Sequence, residues 1–323
     1  MPNIVFLDSE TLNHDDISWE PISSLGEFKT YNQCLPHEIL EKGGDADIII
    51  TNKVRFSEKE FSMLPKLKLL CVAATGYDVI DVEAARRSGV LVCNCAGYGT
   101  GAVAQMTVAL LLEVCNHVGH YVHVVTKEKK WCDSPVFSCW DRPLIELSSR
   151  KAAIVGYGNI GEAVGRLLYA FGMEVFAVSS KSEADLPDYV KKTTLQEAFQ
   201  KCDVVSLNCP LTANNQKMIN RQLLSNTRKG LILLNTARGG LVDETAVCEA
   251  LENGTLCAYC TDVLGIEPPS HDNKLLSAPN AYVTPHVAWA TIEARWRCWE
   301  ATSAHSLMAN QLMWSVERYR ILF

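Results

Sequence analysis

Short apolar runs alternate with helical patterns along most of the chain. In the first part, four runs predict strands: IVFLD, DIIIT, LKLLCVAA and VLVCN. VIDVEAARRSG predicts a helix that ends at Gly89, and longer helical patterns cover about Val103 to Lys127 and Thr291 to about Ser315. Between those two, six further runs predict strands: AAIVG, EVFAVS, DVVSLN, GLILLNT, CAYCTDV and AYVTPH. This alternation is typical of parallel α/β units.

The segment Trp131–Leu147, WCDSPVFSCWDRPLIEL, interrupts the alternation. It contains aromatic residues and prolines, and it lacks helical periodicity. It is also too long for an ordinary connection between elements. We interpret it as a functional or interface loop, the alternative being a loop that packs on its own domain.

Length and composition narrow the class of protein. A chain of 323 residues exceeds what one core usually serves, so we expect two domains. A net charge of -7 argues against a nucleic-acid partner, which would need a basic face. No apolar run approaches the ~18 residues that span a bilayer, and the N-terminal MPNIVFLDSE lacks the pattern of a signal peptide. We therefore expect a cytoplasmic protein with no membrane partner.

The thirteen cysteines do not suggest a disulfide framework, because their number is odd and many, such as Cys71, lie in apolar runs. The pair Cys257 and Cys260 forms a CxxC pattern inside a predicted strand, where residues three apart face opposite sides. No second pair follows with zinc-ligand spacing. The sequence favours packing for these thiols and predicts no metal site.

A glycine motif follows the first strand of the second series. In KAAIVGYGNIGEAVGRLL, residues Gly156, Gly158 and Gly161 form G-x-G-x-x-G between a predicted strand and a predicted helix. The first glycine permits a tight turn, the second lets the backbone approach a pyrophosphate, and the third lets helix and strand pack closely. Helix N-terminal N–H groups favour the phosphates, so the sequence predicts dinucleotide binding.

The end of the next strand bears on the choice of cofactor. An Asp or Glu normally meets the adenosine ribose here, whereas EVFAV is followed by Ser179, Ser180 and Lys181. Glu183 and Asp185 come slightly late, and we expect them in the following loop. Because serine and lysine would not repel a 2′-phosphate, we predict that NADP(H) is tolerated, with NAD and NADP both left open as the cofactor.

Three charged or titratable residues recur at predicted strand ends in the second half: Arg238 in NTARGGLVDE, Glu267 in DVLGIEPP and His286 in VTPHVAWAT. Open α/β sheets build their sites at these ends. An arginine followed by two glycines suggests a cation aimed at an anionic ligand. Taken singly, the three have plain alternatives: a surface ion pair, a solvated loop acid and a structural histidine.

These motifs, with AATGYDVID and AGYGTGAVAQMTVALLL, resemble the D-2-hydroxyacid dehydrogenase family over nearly the whole chain. The segment Trp131–Leu147 resembles its hydroxypyruvate reductase, or glycerate dehydrogenase, branch. The resemblance implies an α/β fold of two Rossmann-like, doubly wound parallel-sheet domains. An NAD(P)-binding domain, residues 100–286, would be inserted into a substrate-binding (catalytic) domain, residues 1–99 and 287–323. It also implies a homodimer, with Trp140 bordering the partner's active site.

The resemblance assigns chemistry to several residues. A hydride would pass between a nicotinamide and a small 2-keto or 2-hydroxy acid, in particular hydroxypyruvate or glyoxylate reduced to D-glycerate or glycolate. Arg238 would bind the substrate carboxylate with its planar fork of donors. Backbone N–H groups of Thr75 and Gly76 would hold the other side, next to Tyr77. His286 would act as general acid, oriented by Glu267.

The cofactor contacts implied by the resemblance lie at the glycine motif and at later strand ends. They are Gly156, Tyr157, Gly158, Asn159, Ile160, Gly161, Ser179, Ser180, Lys181, Cys209, Pro210, Thr236, Ala237, Asp262, His286 and Ala288. Asp262 matches the position that binds the nicotinamide carboxamide. The sequence departs from the family pattern at Ser179, at Ala96 and Gly101 near the hinge, and at Tyr77, where a smaller residue is usual.

Other functions remain open on the sequence. One is another D-2-hydroxyacid dehydrogenase on the same scaffold. Phosphoglycerate dehydrogenase is disfavoured because the first domain shows no basic cluster and no regulatory domain follows. Formate dehydrogenase is disfavoured because the partner of its histidine would be an amide. A different class is a non-enzymatic NAD-sensing protein resembling corepressors of this fold.

Overall fold

The computed structural model describes residues 1–314, and side chains as far as Ser306. The end of the predicted second segment of the substrate domain, residues 315–323, lies outside the described residues. The chain divides into two compact units. Residues from Met1 to Gly99 and from Ala290 onward form the first, and Thr100–Trp289 form the second. The second boundary therefore follows Trp289, whereas the sequence placed it after His286.

The first unit is a five-stranded parallel sheet in the order β2-β1-β3-β4-β5. Its strands are β1 Asn3–Phe6, β2 Glu27–Thr30, β3 Ile48–Thr51, β4 Leu69–Val72 and β5 Leu91–Asn94. Its helices are α1 Glu20–Ser23, α2 Ile39–Gly43, α3 Glu58–Ser62, α4 Val82–Arg87 and α11 Ile292–Trp314. The order 2-1-3-4-5 is a doubly wound one.

The strands of this sheet follow from their apolar runs. β3 and β4 are buried at every position, as expected for parallel strands covered on both faces. Helix α11 contributes Trp299, whose fully buried ring stacks on Phe6 at 6.0 Å between centroids. The sequence missed β2, because its residues EFKT are polar and mostly exposed at the sheet edge.

The second unit is a seven-stranded parallel sheet in the order β12-β11-β10-β9-β6-β7-β8. Its strands are β6 Lys151–Val155, β7 Glu174–Val178, β8 Val190–Lys192, β9 Val204–Leu207, β10 Leu231–Asn235, β11 Leu256–Thr261 and β12 Ala281–Val283. Its helices are α5 Thr100–Asn116, α6 Val118–Thr126, α7 Asn159–Ala170, α8 Leu195–Lys201, α9 Arg221–Ser225 and α10 Glu244–Glu252. The two parallel sheets confirm the predicted fold class. All six predicted strands are present, and the short, polar edge strand β8 was missed.

The long helix predicted from Val103 to Lys127 is wrong as a single element. The chain breaks at His117, which takes a left-handed backbone with φ of 49°, and α6 then departs at 55° from α5. The Glu113 carboxylate accepts the N–H of Gly119 at 3.1 Å, which satisfies a donor of the new helix start.

Within residues 1–314, no single helix is long and apolar enough to cross a membrane, and α5 with α6 reaches that length and composition only as this bent pair.

A β-bulge changes the predicted placement of the CxxC thiols. Leu231 pairs with Leu256 but Ile232 pairs with Ala258, so Cys257 is the extra residue. Since a bulge shifts the alternation of side chains by one, Cys257 packs against the same core cluster as Cys260. The expectation that the two face opposite sides is wrong. Both are free thiols, and burial raises the pKa of each.

Candidate active site

Three neighbouring parallel strands bring the candidate catalytic residues to one edge of the second unit. β10, β11 and β12 lie side by side, and all three run in the same direction. Arg238, Asp262 and His286 each follow the end of one of these strands. The carboxyl ends of parallel strands meet at one edge, so these side chains share it.

Glu267 and His286 form a direct pair. The imidazole Nδ1 lies 2.6 Å from Oε2 of the Glu267 carboxylate. The exposed fraction of the side chain is 27% for the histidine and 35% for the glutamate. The other carboxylate oxygen accepts the N–H of Leu264 at 2.8 Å. The glutamate is thus fixed by its own loop on one side and fixes the ring on the other. This arrangement orients an imidazole with Nε2 on the opposite side of the ring.

The backbone at His286 is strained and is held by Asp262. His286 has φ of 56°, in the left-handed region that a histidine adopts at a cost of about 1–3 kcal/mol. Asp262 is 1% exposed, and its carboxylate accepts the N–H groups of Val287 at 3.0 Å and Ala288 at 2.8 Å. The Thr284 hydroxyl donates to it at 2.6 Å. Bonds on both sides of His286 therefore over-determine its conformation.

Arg238 lies on a turn that is tied to the end of β10. The Asn235 side chain donates to the Arg238 carbonyl at 3.0 Å and accepts the N–H of Ala237 at 3.1 Å. The half-buried guanidinium donates through Nη1 to the Ala237 carbonyl at 2.8 Å. Thr236, the residue between Asn235 and Ala237, forms a hydrogen bond of 2.8 Å between its hydroxyl and that of Thr107 on α5. The arginine is thus carried by a short, internally bonded turn.

The glycine turn lies at the topological switch of the second sheet, between β6 and β9. Gly156 has φ of +91°, and a Cβ there would lie 2.7 Å from the backbone of Cys209. Only glycine fits this approach, which sets Cys209 and Pro210 beside the turn. Gly158 is the N-cap of α7, with open space where a Cβ would be. This cradle fits a pyrophosphate.

The side chains next to these glycines have different surroundings. Tyr157 is 2% exposed within the core, and burial raises the pKa of its phenol. Ile160 packs against the same core cluster, whereas Asn159 is exposed at the start of α7. Tyr157 can therefore face a dinucleotide only through its backbone, whereas Ile160 is half-buried.

The ribose end of the turn contains serines and a lysine. Ser179 is half-buried and its hydroxyl accepts the N–H of Lys181 at 3.2 Å, while Ser180 is exposed. The Lys181 ammonium lies 5.7 Å from the centre of the Tyr157 ring. Glu183 and Asp185 lie beyond the strand, as the sequence predicted, but on a short 3-10 helix where a loop was expected.

In the first unit, the predicted substrate turn follows β4. The Thr75 hydroxyl donates to the Cys95 carbonyl at 2.9 Å, and the Asn94 side chain donates to the Thr75 carbonyl at 2.8 Å. Gly76 is half-buried and Tyr77 is 52% exposed. The turn is thus held through the side chain and the carbonyl of Thr75.

Comparisons with known proteins match this architecture. Residues 108–288 match the model of the D-isomer specific 2-hydroxyacid dehydrogenase NAD binding domain. A hydroxypyruvate reductase of Blautia hydrogenotrophica is 39% identical, over 91% of this chain and 92% of that protein. The chain belongs to the D-isomer specific 2-hydroxyacid dehydrogenase family.

Two further members of the family extend the likeness. A glycerate dehydrogenase of Methylorubrum extorquens is 35% identical, over 98% of this chain and 95% of that protein. A D-lactate dehydrogenase of Aquifex aeolicus, solved with NAD and lactic acid, superposes with a TM-score of 0.81 at 26% identity, covering 96% of this chain and 97% of that one. The resemblance found in the sequence is confirmed at the level of the family and of the fold.

Two residues of this family member lie in the site and were missed from the sequence. Thr284 donates to Asp262, and Glu244 accepts a bond from the loop that carries Glu267. Glu244 stands in the quoted stretch NTARGGLVDE, but an acid at the start of a helix is usually explained by the helix dipole. Among residues 1–314, no group of three or more His, Cys, Asp or Glu is placed to hold a metal ion.

Proposed function

We propose that this protein reduces a small 2-keto acid, hydroxypyruvate or glyoxylate, to D-glycerate or glycolate, with a nicotinamide dinucleotide as cofactor. The names of the related hydroxypyruvate reductase and glycerate dehydrogenase support this substrate class. The observation that carries the proposal is the 2.6 Å contact between Glu267 and Nδ1 of His286, at the same sheet edge as Arg238.

A bound nicotinamide would supply the hydride to the keto carbon. His286 donates a proton from Nε2 to the keto oxygen, which becomes the hydroxyl of the product. Glu267 keeps Nδ1 occupied, so the ring presents Nε2 to the substrate. Arg238 binds the substrate carboxylate by charge-assisted hydrogen bonds.

The residues at the glycine turn suit a dinucleotide. Gly156 and Gly158 would hold the pyrophosphate, with Cys209 and Pro210 alongside, while Gly161 lets α7 pack closely against the turn. Asp262 already accepts three hydrogen bonds, and a carboxylate offers about four acceptor positions, so one position remains for a nicotinamide carboxamide. Thr236, Ala237 and Ala288 would complete this end of the groove.

We propose that NADPH is accepted at least as well as NADH. Where an acid would meet the ribose, this chain has Ser179, Ser180 and Lys181, and the first acids that follow, Glu183 and Asp185, lie on the next 3-10 helix. The Asp185 carboxylate accepts a bond from the Ser182 hydroxyl at 2.7 Å, which lowers the pKa of Asp185. No negative side chain at the strand end would repel a 2′-phosphate.

The protein is proposed to act as a homodimer in the cytoplasm. The segment Trp131–Leu147 is unusually apolar for a surface, with Phe137 91% and Trp140 72% exposed. Patches of this kind commonly mark interfaces. All thirteen cysteines are free thiols, which fits a reducing compartment. A Trp140→Ala variant tests the interface through light scattering and the KM for the substrate. If both the dimer and the KM stayed unchanged, the interface would be contradicted.

The test of function is the initial rate of NADPH and NADH oxidation with four keto acids: hydroxypyruvate, glyoxylate, pyruvate and 3-phosphohydroxypyruvate. We expect the fastest turnover with hydroxypyruvate or glyoxylate. Faster turnover of pyruvate would point to another member of the family. Tight dinucleotide binding without turnover of any keto acid would favour a binding protein over an enzyme.

A further inference from the structure

The loop that carries Glu267 is held by a second glutamate. Glu244, the first residue of α10, accepts the N–H of Gly265 through Oε1 at 2.7 Å. Its other oxygen accepts from Nδ2 of Asn273 at 3.1 Å. The side-chain oxygen Oδ1 of Asn273 is itself engaged, accepting the N–H of Leu275 at 2.9 Å. Glu244 therefore clamps both the start and the end of the loop between residues 264 and 273.

Glu244 binds the Leu264–Gly265 peptide, which directly follows the Val263–Leu264 peptide that donates to the Glu267 carboxylate. The N–H of Leu264 goes to Glu267 and the N–H of Gly265 goes to Glu244, so consecutive donors are divided between two carboxylates. The Leu264–Gly265 peptide also lies directly against the turn that carries Arg238. A Cβ at Gly239 would lie 2.0 Å from the carbonyl carbon of Leu264. The two turns are therefore in direct backbone contact.

Glu244 does not act as the cap of its own helix. Asp243 is the N-cap of α10 and accepts the N–H groups of Thr245 at 3.1 Å and Ala246 at 3.3 Å. The Glu244 side chain is half-buried and turned toward the loop. Its contacts are those of a support for the site.

We propose that Glu244 is a positioning residue that sets the geometry of the Glu267–His286 pair relative to Arg238. This inference rests on the proposed function and adds a residue to its machinery. Without the clamp, the N–H of Gly265 turns to water, and the Leu264–Gly265 peptide, which lies between the peptide bound by Glu267 and the turn at Gly239, loses its bond to a carboxylate. Displacing a catalytic group by about 1 Å can cost about a hundredfold in rate.

The experiment compares Glu244→Ala, Glu244→Gln and a control, Glu249→Ala, in the full-length protein. Glu249 lies on the same helix and binds the exposed Arg221, away from the loop. We expect Glu244→Ala to lower kcat by roughly tenfold to a hundredfold. The dinucleotide Kd should be unchanged, because the Glu244 carboxylate binds Gly265 and Asn273 in the loop and not the glycine turn. Glu244→Gln keeps one acceptor for Gly265 and should recover part of the rate, and the control should match the wild type.

Two further readouts separate positioning from a general loss of structure. The solvent deuterium isotope effect on kcat should rise in Glu244→Ala, because proton transfer from His286 becomes more limiting. Hydrogen exchange at the amides of Leu264 and Gly265 should speed up in that variant and stay unchanged in the control. If Glu244→Ala fails to fold, the milder Glu244→Gln carries the same tests.

The possible failures are distinguishable. If the wild-type protein turns over a keto acid and Glu244→Ala matches Glu249→Ala in kcat and isotope effect, the positioning role is overturned and the proposed function stands. If both variants lose rate and dinucleotide affinity equally, the effect is one of helix stability, and the positioning role is again overturned. If the wild type reduces no keto acid, the proposed function fails and the positioning role falls with it.

Discussion

The two ends of one sheet edge are built differently in the second unit. At the end formed by β11 and β12, Asp262 and Glu267 hold a strained His286 through hydrogen bonds of 2.6–3.0 Å. Near the other end, after β7, the side chains of Ser179 and Lys181 make one weak bond of 3.2 Å and a distant ring contact, while the Lys181 carbonyl accepts from Nζ of Lys192 at 2.6 Å. Where a proton must move along one line, the geometry has to be fixed in advance. Where only the sign of a charge must be recognised, a looser arrangement is enough.

The largest effect should come from removing the histidine at the rigid end. We expect His286→Ala to lower kcat for keto-acid reduction by roughly a hundredfold to ten-thousandfold, the range of general acid catalysis. The dinucleotide Kd, measured by fluorescence titration, should change little. The exposed His37 of the first unit provides a matched control, and His37→Ala should keep full activity. Activity retained in His286→Ala would contradict the assigned proton donor.

The next effect should come from the carboxylate that holds the histidine backbone. In Asp262→Asn, the amide NH2 would replace one carboxylate oxygen and face the N–H of either Val287 or Ala288, which leaves that donor without its acceptor at a cost of about 1–3 kcal/mol. We expect kcat/KM to fall by roughly tenfold to a hundredfold, at about 1.4 kcal/mol per tenfold. Chemical denaturation should show a matching loss of stability.

The control for this variant is a carboxylate at the opposite edge of the same sheet. Asp203 precedes β9 and accepts from Arg150 at 3.1 Å and from Arg228 at 2.7 Å. Asp203→Asn should also lower stability, yet it should leave kcat/KM near the wild-type value. If both variants reduce kcat/KM alike, the special role of the Asp262 end is refuted.

A smaller effect is expected from adding a charge at the loose end. Ser179→Asp should reduce the ratio of kcat/KM for NADPH to that for NADH by about tenfold, because two anions a few ångströms apart repel by a few kcal/mol at most near a surface. Ser179→Asn has nearly the same shape without the charge and should leave the ratio close to that of the wild type. An unchanged ratio in the aspartate variant would mean that the ribose lies elsewhere.

The smallest effect should come from removing the lysine at this end. Lys181→Ala should weaken NADPH binding by at most about fivefold, since exposed ion pairs contribute roughly 0–1 kcal/mol. The difference should shrink at high salt because salt screens exposed charges. Lys191, which pairs with Glu174 on the neighbouring strand, is the matched control, and Lys191→Ala should bind NADPH normally. A salt-independent loss in Lys181→Ala would point to packing on Tyr157 instead of charge.

The sequence predicted the parts of the fold that depend on apolar periodicity. It failed where the local pattern of apolar and polar residues contains no signal for the structure. β2 and β8 are short polar edge strands, and their pairing depends on neighbours far along the chain. The break at His117 has no proline or adjacent glycine to announce it, and the bulge at Cys257 is a matter of register. Each of these features is decided by tertiary contacts.

The site shows the same limit. Motif spacing and family resemblance singled out Glu267 and His286, but not that one glutamate oxygen takes the imidazole and the other takes the N–H of Leu264. The sequence assigned Asp262 to the cofactor, which stays a prediction, but it did not indicate that the same carboxylate also holds the histidine turn. Glu244 was passed over because its bonds reach residues 21 and 29 positions away.

The distribution of thiols has a practical consequence for labelling. Cys71 and Cys260 are fully buried, and burial raises the pKa of both, so they react slowly with electrophiles. Cys132 is the one cysteine classed as exposed among the thirteen, all of which lie in the described part of the chain. It stands in the segment Trp131–Leu147. Wherever the proposed dimer leaves this segment uncovered, a maleimide fluorophore added in limiting amount would therefore attach there first, giving the native chain its own optical reporter beside Trp131.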